Sequence, residues 1–312
     1  MTSKQQYRAL CQQANDIPIF IKDWWLDVVC ENWDVAIAMN GDKVAGVWPY
    51  NVEHKAGVSI IRNPVLTPYM APHIFYPHDL KPSKRDSFEH EVTESLYKQI
   101  HAKVWSISLM PGQKQVGFFV ANGFKINPRQ TFLMPLQDDE QNIFARLHED
   151  YRRNIRKAEA ELTITNEPEL LPELWQYQKA TLDKKDVLMH FNEQQIQKLF
   201  NACLQHNCTA LWVARKEGVV QAILWHMWDE TRAYYLVGSK NPAVKDNRAM
   251  TALIWKAISE SKKMGKATFD FEGSMDTGVE KFFRNFGGER TLYLVVKKTT
   301  SRLWKLKEIL RG

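Results

Sequence analysis

Cysteine is scarce in this chain. Cys11, Cys30, Cys203 and Cys208 are four in 312 residues, and their spacing forms no disulfide framework, so they read as reduced thiols. No stretch is long and apolar enough to span a bilayer, and the region after Met1 lacks an apolar signal segment. Together these absences predict a cytoplasmic protein. The nine histidines show no metal-ligand spacing. Cys203, His206 and Cys208 lie close together, but no second ligand pair accompanies them, so no metal is expected. No serine–histidine–aspartate order can be argued from the letters. Neither charge sign dominates. The 42 Lys and Arg against 36 Asp and Glu leave a net charge of +6, which mildly favours anionic partners. What remains is an ordinary globular balance, 44% hydrophobic and 25% charged, at a length that suggests two domains.

The stretch around which the chain is organised runs from Phe269 to Gly288, FDFEGSMDTGVEKFFRNFGG. Strand alternation puts Phe269 and Phe271 on one face and Asp270 and Glu272 on the other, less apolar one. Gly273 and Ser274 break the strand, and Val279, Phe282, Phe283 and Phe286 follow at helical spacing. Gly287 and Gly288 end that helix, and Leu292 to Val296 resumes an apolar strand. Two carboxylates at a strand end, beside a turn and a helix N-terminus, stand where open α/β sheets bind ligands.

Upstream, Asn40-Gly41-Asp42 between two alternating apolar runs predicts a hairpin. Residues Asn63 to Pro82 carry five prolines, with Tyr69, His73, Phe75, Tyr76 and His78 between them. That segment reads equally as a binding loop or as a rigid cover over the core. Helices are expected over Asp86 to Ile100 and Val116 to Ala121, and strands over Val104 to Leu109 and Thr131 to Leu136. The second half repeats this order. A hairpin turns at Glu217-Gly218, a strand covers Tyr234 to Val237, and a helix covers Ala249 to Met264. The pairs Phe118-Phe119 and Phe282-Phe283 are offset by 164 positions (282 minus 118), and the strands before them by 163 (267 minus 104). A shared offset across several elements indicates a duplicated fold. Between the copies, Ile143 to Glu161 and Pro172 to Asn207 read as helical.

Three ordered segments carry a resemblance. They are Tyr151 to Ala158 (YRRNIRKA), Tyr234 to Ser239 (YYLVGS) followed by Asn247 to Met250, and the run from DFEGS to FFRNFGG. Together they resemble the C-terminal part of FemAB-like proteins with the GNAT acyltransferase fold. The resemblance implies an α/β (α+β) chain of two tandem GNAT-like domains, each a mixed, mostly antiparallel sheet flanked by helices. The domains are expected at 1–140 and 141–312, with a helical insertion at about 167–207. It also implies transfer of an acyl or aminoacyl group to the amine of a small molecule or peptide, such as a cell-wall or envelope precursor. Acyl-CoA or aminoacyl-tRNA would be the donor, with tRNA as a possible partner. The competing reading is a binding protein that keeps the fold without the reaction.

Asp270 and Glu272 are the acid/base candidates, because an attacking amine must lose a proton and a partly desolvated carboxylate can accept it. The alternative is that Asp270 caps the next segment. Arg152 and Arg156 share one helix face and Arg153 and Lys157 the neighbouring one, which suits phosphate or a solvated surface. By resemblance, the strand ending at Tyr235, Gly238 and Ser239 presents backbone to an acyl group. The loop Lys240 to Ala249 departs from the family by holding no glycine for a pyrophosphate cradle, which leaves Lys245 and Arg248 to meet an anion. The lysine expected in the final helix is replaced by Phe283, with Lys281 and Arg284 nearby as substitutes. Ser274 completes the set of substrate-binding candidates. The basic, amphipathic tail from Ser301 to Gly312 reads as a docked helix or a peripheral membrane contact.

Overall fold

A computed structural model describes residues 1–113, 115–245, 248–273, 275–302 and 304–305. Ser274 and most of the amphipathic tail therefore lie outside the described residues. The chain divides into two compact units, Met1–Arg129 with the chain from Leu292 onward, and Gln130–Thr291. The sequence reading drew one boundary at 140. The chain instead leaves the first unit after 129 and re-enters it at 292.

The first unit opens with helices α1 (Ser3–Gln13) and α2 (Asp23–Val29). The Thr2 hydroxyl accepts from the Gln5 N–H, and the Gln5 side chain accepts from the Thr2 N–H, so α1 starts on a capping box. Strands β1 (Trp33–Asn40) and β2 (Lys43–Lys55) form the expected hairpin, and β3 (Val58–Arg62) adds to β2 antiparallel. In the proline-rich segment only β4 (His73–Ile74) is regular, and Tyr69, Met70 and Ala71 are buried there. That part of the segment is a cover over the core. Helix α3 (Arg85–Lys98), strand β5 (Val104–Ser108) parallel to β3, and helix α4 (Val116–Ala121) follow. Trp48, Trp105, Phe118, Phe119, Phe124 and Val296 fill this core.

Strand β6 (Lys125–Pro135) leads into the second unit. Where one helical region was expected, the chain forms α5 (Glu140–Ala145), α6 (Glu149–Glu161), strand β7 (Thr163–Asn166), α7 (Leu171–Lys184) and α8 (Glu193–Gln205). Then come β8 (Thr209–Lys216), β9 (Val219–Trp228), β10 (Arg232–Lys240), α9 (Arg248–Lys263), β11 (Thr268–Asp270), α10 (Thr277–Arg284) and β12 (Glu289–Thr299). The sheet of this unit runs β6-β11-β10-β9-β8-β7, and only the β10–β11 pair is parallel. Leu253, Ile254, Ala257 and Ile258 give α9 the apolar face that covers the sheet.

The duplication holds element by element. α3 and α9 begin 163 positions apart (248 minus 85), and each is followed by a strand, a short helix and a long strand. The last strands are exchanged, however. Leu133–Pro135 of β6 pair with β11, whereas Val295–Thr299 of β12 pair with β5.

A histidine is sealed inside the second unit. The Trp212 indole N–H donates to His226 Nδ1 over 3.2 Å, and Nε2 lies 2.9 Å from the Ser261 hydroxyl, which donates to the Ala257 carbonyl. Only a neutral ring protonated on Nε2 satisfies this chain. Burial lowers the His226 pKa to about 3. The unfolded chain therefore takes a proton near pH 6.5 that the fold refuses, and stability falls as pH drops from about 6.5 toward about 3. We expect a loss of order 3 kcal/mol between pH 7 and pH 4, measured by urea unfolding. His226→Asn should remove this part of the acid slope, and an unchanged slope would contradict it.

Candidate active site

Strands β10 and β11 run together only briefly. Arg232, Ala233 and Tyr234 pair with Thr268, Phe269 and Asp270. Beyond that β11 ends, while β10 continues beside β9 as far as Lys240. A bulge at Leu236 marks the parting, since Tyr235 faces His226 and Val237 already faces Trp225. One edge of β10 is thereby released from the β11 ladder along Tyr235 to Lys240. The result is a wedge in the sheet, with backbone amides and carbonyls on one wall and the end of β11 on the other.

Asp270 is fully buried, which corrects the expectation that it stands on a polar strand face. Both faces of β11 are covered at this point, so alternation there carries no contrast between core and solvent. Asp270 Oδ1 accepts from the Thr131 hydroxyl at 2.7 Å and from the Glu272 N–H at 2.8 Å. The second bond turns the chain out of the strand, and Glu272 adopts φ +55. Gly273 follows at φ +69, pressed against β6. A Cβ there would stand 2.1 Å from the Gln130 carbonyl oxygen. Only glycine fits both the backbone angle and the space.

Glu272 is thus placed by a turn, not by the strand. Its Oε1 is buried without a hydrogen-bond partner among the described residues. Burial, and then the neighbouring Asp270 carboxylate, push the Glu272 pKa well above the ordinary carboxylate range. Tyr235 stands near it. Burial and the Glu272 charge raise the Tyr235 pKa, so its hydroxyl keeps its proton and remains a donor. The Tyr235 ring lies against Gly238, where a Cβ would come within 2.3 Å of the phenol oxygen. Phe283 of α10 packs edge-on to the same ring at 5.2 Å. The position expected to carry lysine in this helix is therefore part of the wall that holds Tyr235.

The remaining candidates do not gather at one place. Ser239 is buried, with its hydroxyl 3.3 Å from that of Thr181 on α7. Arg152 donates to the Ala145 and Leu147 carbonyls at 2.8 and 2.5 Å, closing the end of α5. Arg153 pairs with Asp150 at 2.5 Å, and Arg156 lies over the Phe144 ring at 5.6 Å. Arg153, Arg156 and Lys157 are exposed. Arg248, at the entrance to α9, meets Glu161 at 3.2 Å, and Lys216 reaches the same carboxylate at 2.9 Å. Arg284 is 3.7 Å from Glu280, and both it and Lys281 are exposed. Arg152→Gln should accordingly cost about 1–2 kcal/mol by leaving two carbonyls short of a charged donor. Arg156→Gln should leave stability within about 0.5 kcal/mol. Equal effects of the two in urea unfolding would contradict this division.

Two functional features escaped the sequence reading. Thr131 lies 139 positions from Asp270, and nothing local links them. The bulge at Leu236 has no glycine or proline to announce it. Among the described residues, no helix is long and apolar enough to cross a membrane.

Residues 145–284, which hold the parted strands β10 and β11, match the family model of the acetyltransferase (GNAT) domain. That segment thus matches a GNAT domain, and the fold of the whole chain is similar to solved FemX and tandem GNAT structures. It is similar to the crystal structure of FemX at 12% identity and a TM-score of 0.68, over 94% of this chain and 96% of that one. It is also similar to the C-terminal domain of a putative lysylphosphatidylglycerol synthetase from Agrobacterium fabrum, at 11% identity and a TM-score of 0.55, over 95% and 92%. A tandem GNAT protein from the clavulanic acid biosynthesis pathway aligns at 9% identity and a TM-score of 0.53, over 95% and 94%. At these identities the likeness is one of fold. No curated protein sequence matches the chain.

Proposed function

We propose that this protein transfers an acyl or aminoacyl group from an activated ester or thioester to an amine, in the wedge between β10 and β11. The observation that carries this reading is the buried, unpartnered Oε1 of Glu272 at the end of that wedge. An attacking amine brings the N–H donor that this oxygen lacks. Glu272, with its raised pKa, is poised to take that proton as the new amide bond forms. The released edge of β10 offers the Gly238 N–H, which alternates away from β9, where charge develops on the acyl oxygen. The Tyr235 hydroxyl, kept protonated, can deliver a proton to the departing oxygen or sulfur.

The fit to the donor is uneven. The free strand edge suits an extended, amide-bearing thioester arm such as that of acyl-CoA. The entrance to α9 suits pyrophosphate less well, because Glu161 already neutralises Arg248 and the loop before it has no glycine. That favours a donor whose phosphates are held elsewhere, and aminoacyl-tRNA meets the description. With the FemAB-like arrangement, this leads us to propose a cell-wall or envelope precursor amine as the acceptor. The test is transfer of a labelled acyl group from a panel of acyl-CoAs and charged tRNAs to lysine- and alanine-bearing precursor peptides. Transfer from one donor class, absent in Glu272→Gln, is the expected result. Donor binding without transfer to any amine would instead support a binding protein that keeps the fold.

A further inference from the structure

The first unit holds a pocket of about 250 Å³ that shares no residue with the wedge. It lies where α3 begins, and its wall includes Gln113 and Gln115 from the loop after β5. Arg85 at this helix entrance is the counterpart of Arg248 in the second copy, 163 positions on (248 minus 85). The chemistry of the two places differs.

The floor of the pocket is Glu89. Its carboxylate accepts from the Tyr76 hydroxyl, from Arg85 Nε at 3.4 Å and from Gln115 Nε2 at 3.1 Å. These donors come from three separate segments, so the carboxylate is fixed before any ligand arrives. Burial raises its pKa, but the bonds from Tyr76, Gln115 and Arg85 outweigh that and hold it below the usual carboxylate range. A carboxylate offers about four accepting positions, and three are taken. The Arg85 guanidinium lies over the Tyr76 ring at 4.2 Å, which fixes the other wall.

Thr93 stands one turn further along α3. It is fully buried, lines the pocket, and its hydroxyl has no partner among the described residues. A threonine within a helix ordinarily bonds the carbonyl four residues back. An unmatched buried hydroxyl is costly, and a ligand or a water can recover that cost. Asp86, in the first turn of α3, lines the same pocket and stands in no ion pair among the described residues. Two carboxylates against one guanidinium give the described lining a formal charge of −1. The described lining thus holds no excess positive charge for an anion, although helix entrances usually attract one.

We propose that this pocket binds a small primary ammonium ligand. An ammonium has three donors and no acceptor. They match the remaining position on Glu89 and the lone pairs of Thr93 Oγ1, while Asp86, exposed two turns from Thr93, adds negative charge at the rim. The positive charge offsets the pocket's own. At 250 Å³ the space lies below the range of about 300–1,000 Å³ typical of drug-sized ligands, so the molecule is small.

The test is calorimetric titration of the full chain with 2-aminoethanol, with ethylene glycol and inorganic phosphate as neutral and anionic controls. Saturable binding of 2-aminoethanol near one equivalent is expected, with neither control saturating. Glu89→Gln should weaken it at least tenfold and Thr93→Val several-fold. Circular dichroism would verify both folds, and Asp86→Asn, an exposed change, serves as a second charge variant. Glu272→Gln should leave this binding unchanged, which separates the pocket from the wedge. Absence of saturable binding, equal binding of ethylene glycol, or binding indifferent to both charge variants would overturn the proposal and leave the pocket to water.

Discussion

Glu272→Gln should lower kcat/KM by roughly 10²–10⁴-fold, the usual contribution of a positioned general base. It should also make the protein more stable near neutral pH. Burial and the adjacent Asp270 charge raise the Glu272 pKa in the fold, so ionising this group is easier in the unfolded chain. Its stabilising contribution is complete below the ordinary glutamate value of about 4.5 and is lost as pH rises toward the folded value. Glutamine cannot ionise and avoids that loss. A higher melting temperature at pH 7 with little difference at pH 4 is the expected signature, beside the loss of transfer. Strain held at a working site commonly shows this opposition of stability and activity. A stable variant that transfers at the normal rate would remove Glu272 from the chemistry.

Asp270 should behave differently in its two simplest substitutions. Asp270→Ala strands the Thr131 hydroxyl and the Glu272 N–H inside the protein, at a cost of about 2–5 kcal/mol. Asp270→Asn keeps an acceptor oxygen and should fold. It removes the like charge that adds to burial in raising the Glu272 pKa, so the rising limb of the pH–rate profile should move to lower pH. Turnover should fall less than in Glu272→Gln, because Asp270 acts through the placement of its neighbour. An unmoved limb in a folded Asp270→Asn protein would show that the two carboxylates do not interact. The sequence reading gave both residues the base role; the full burial of Asp270 favours Glu272 for it.

Local signals made most of the elements readable. Asn40-Gly41-Asp42, Glu217-Gly218 and the phenylalanine pairs act within a few residues, and their repetition at a fixed offset exposed the duplication. What could not be read depends on partners far along the chain. Alternation separates faces only when one of them meets water, and at β11 neither does. The arginines of α6 look alike as letters, yet Arg152 closes a helix end and Arg156 lies on an aromatic ring. The exchanged strands were invisible for the same reason, since the partner of β6 and that of β12 each lie more than a hundred positions away in the chain.

That exchange bears on how the protein is made. Synthesis proceeds from the N-terminus, and domains generally fold as they emerge. Here the first unit to be translated is the last to be completed, because β5 waits for Val295–Thr299. The second unit, Gln130–Thr291, leaves the ribosome whole before its predecessor does. Until the final strand arrives, β5 presents an unpaired edge, the kind of surface that recruits other chains. Loss of the chain from Leu292 onward would therefore harm the first unit more than the second.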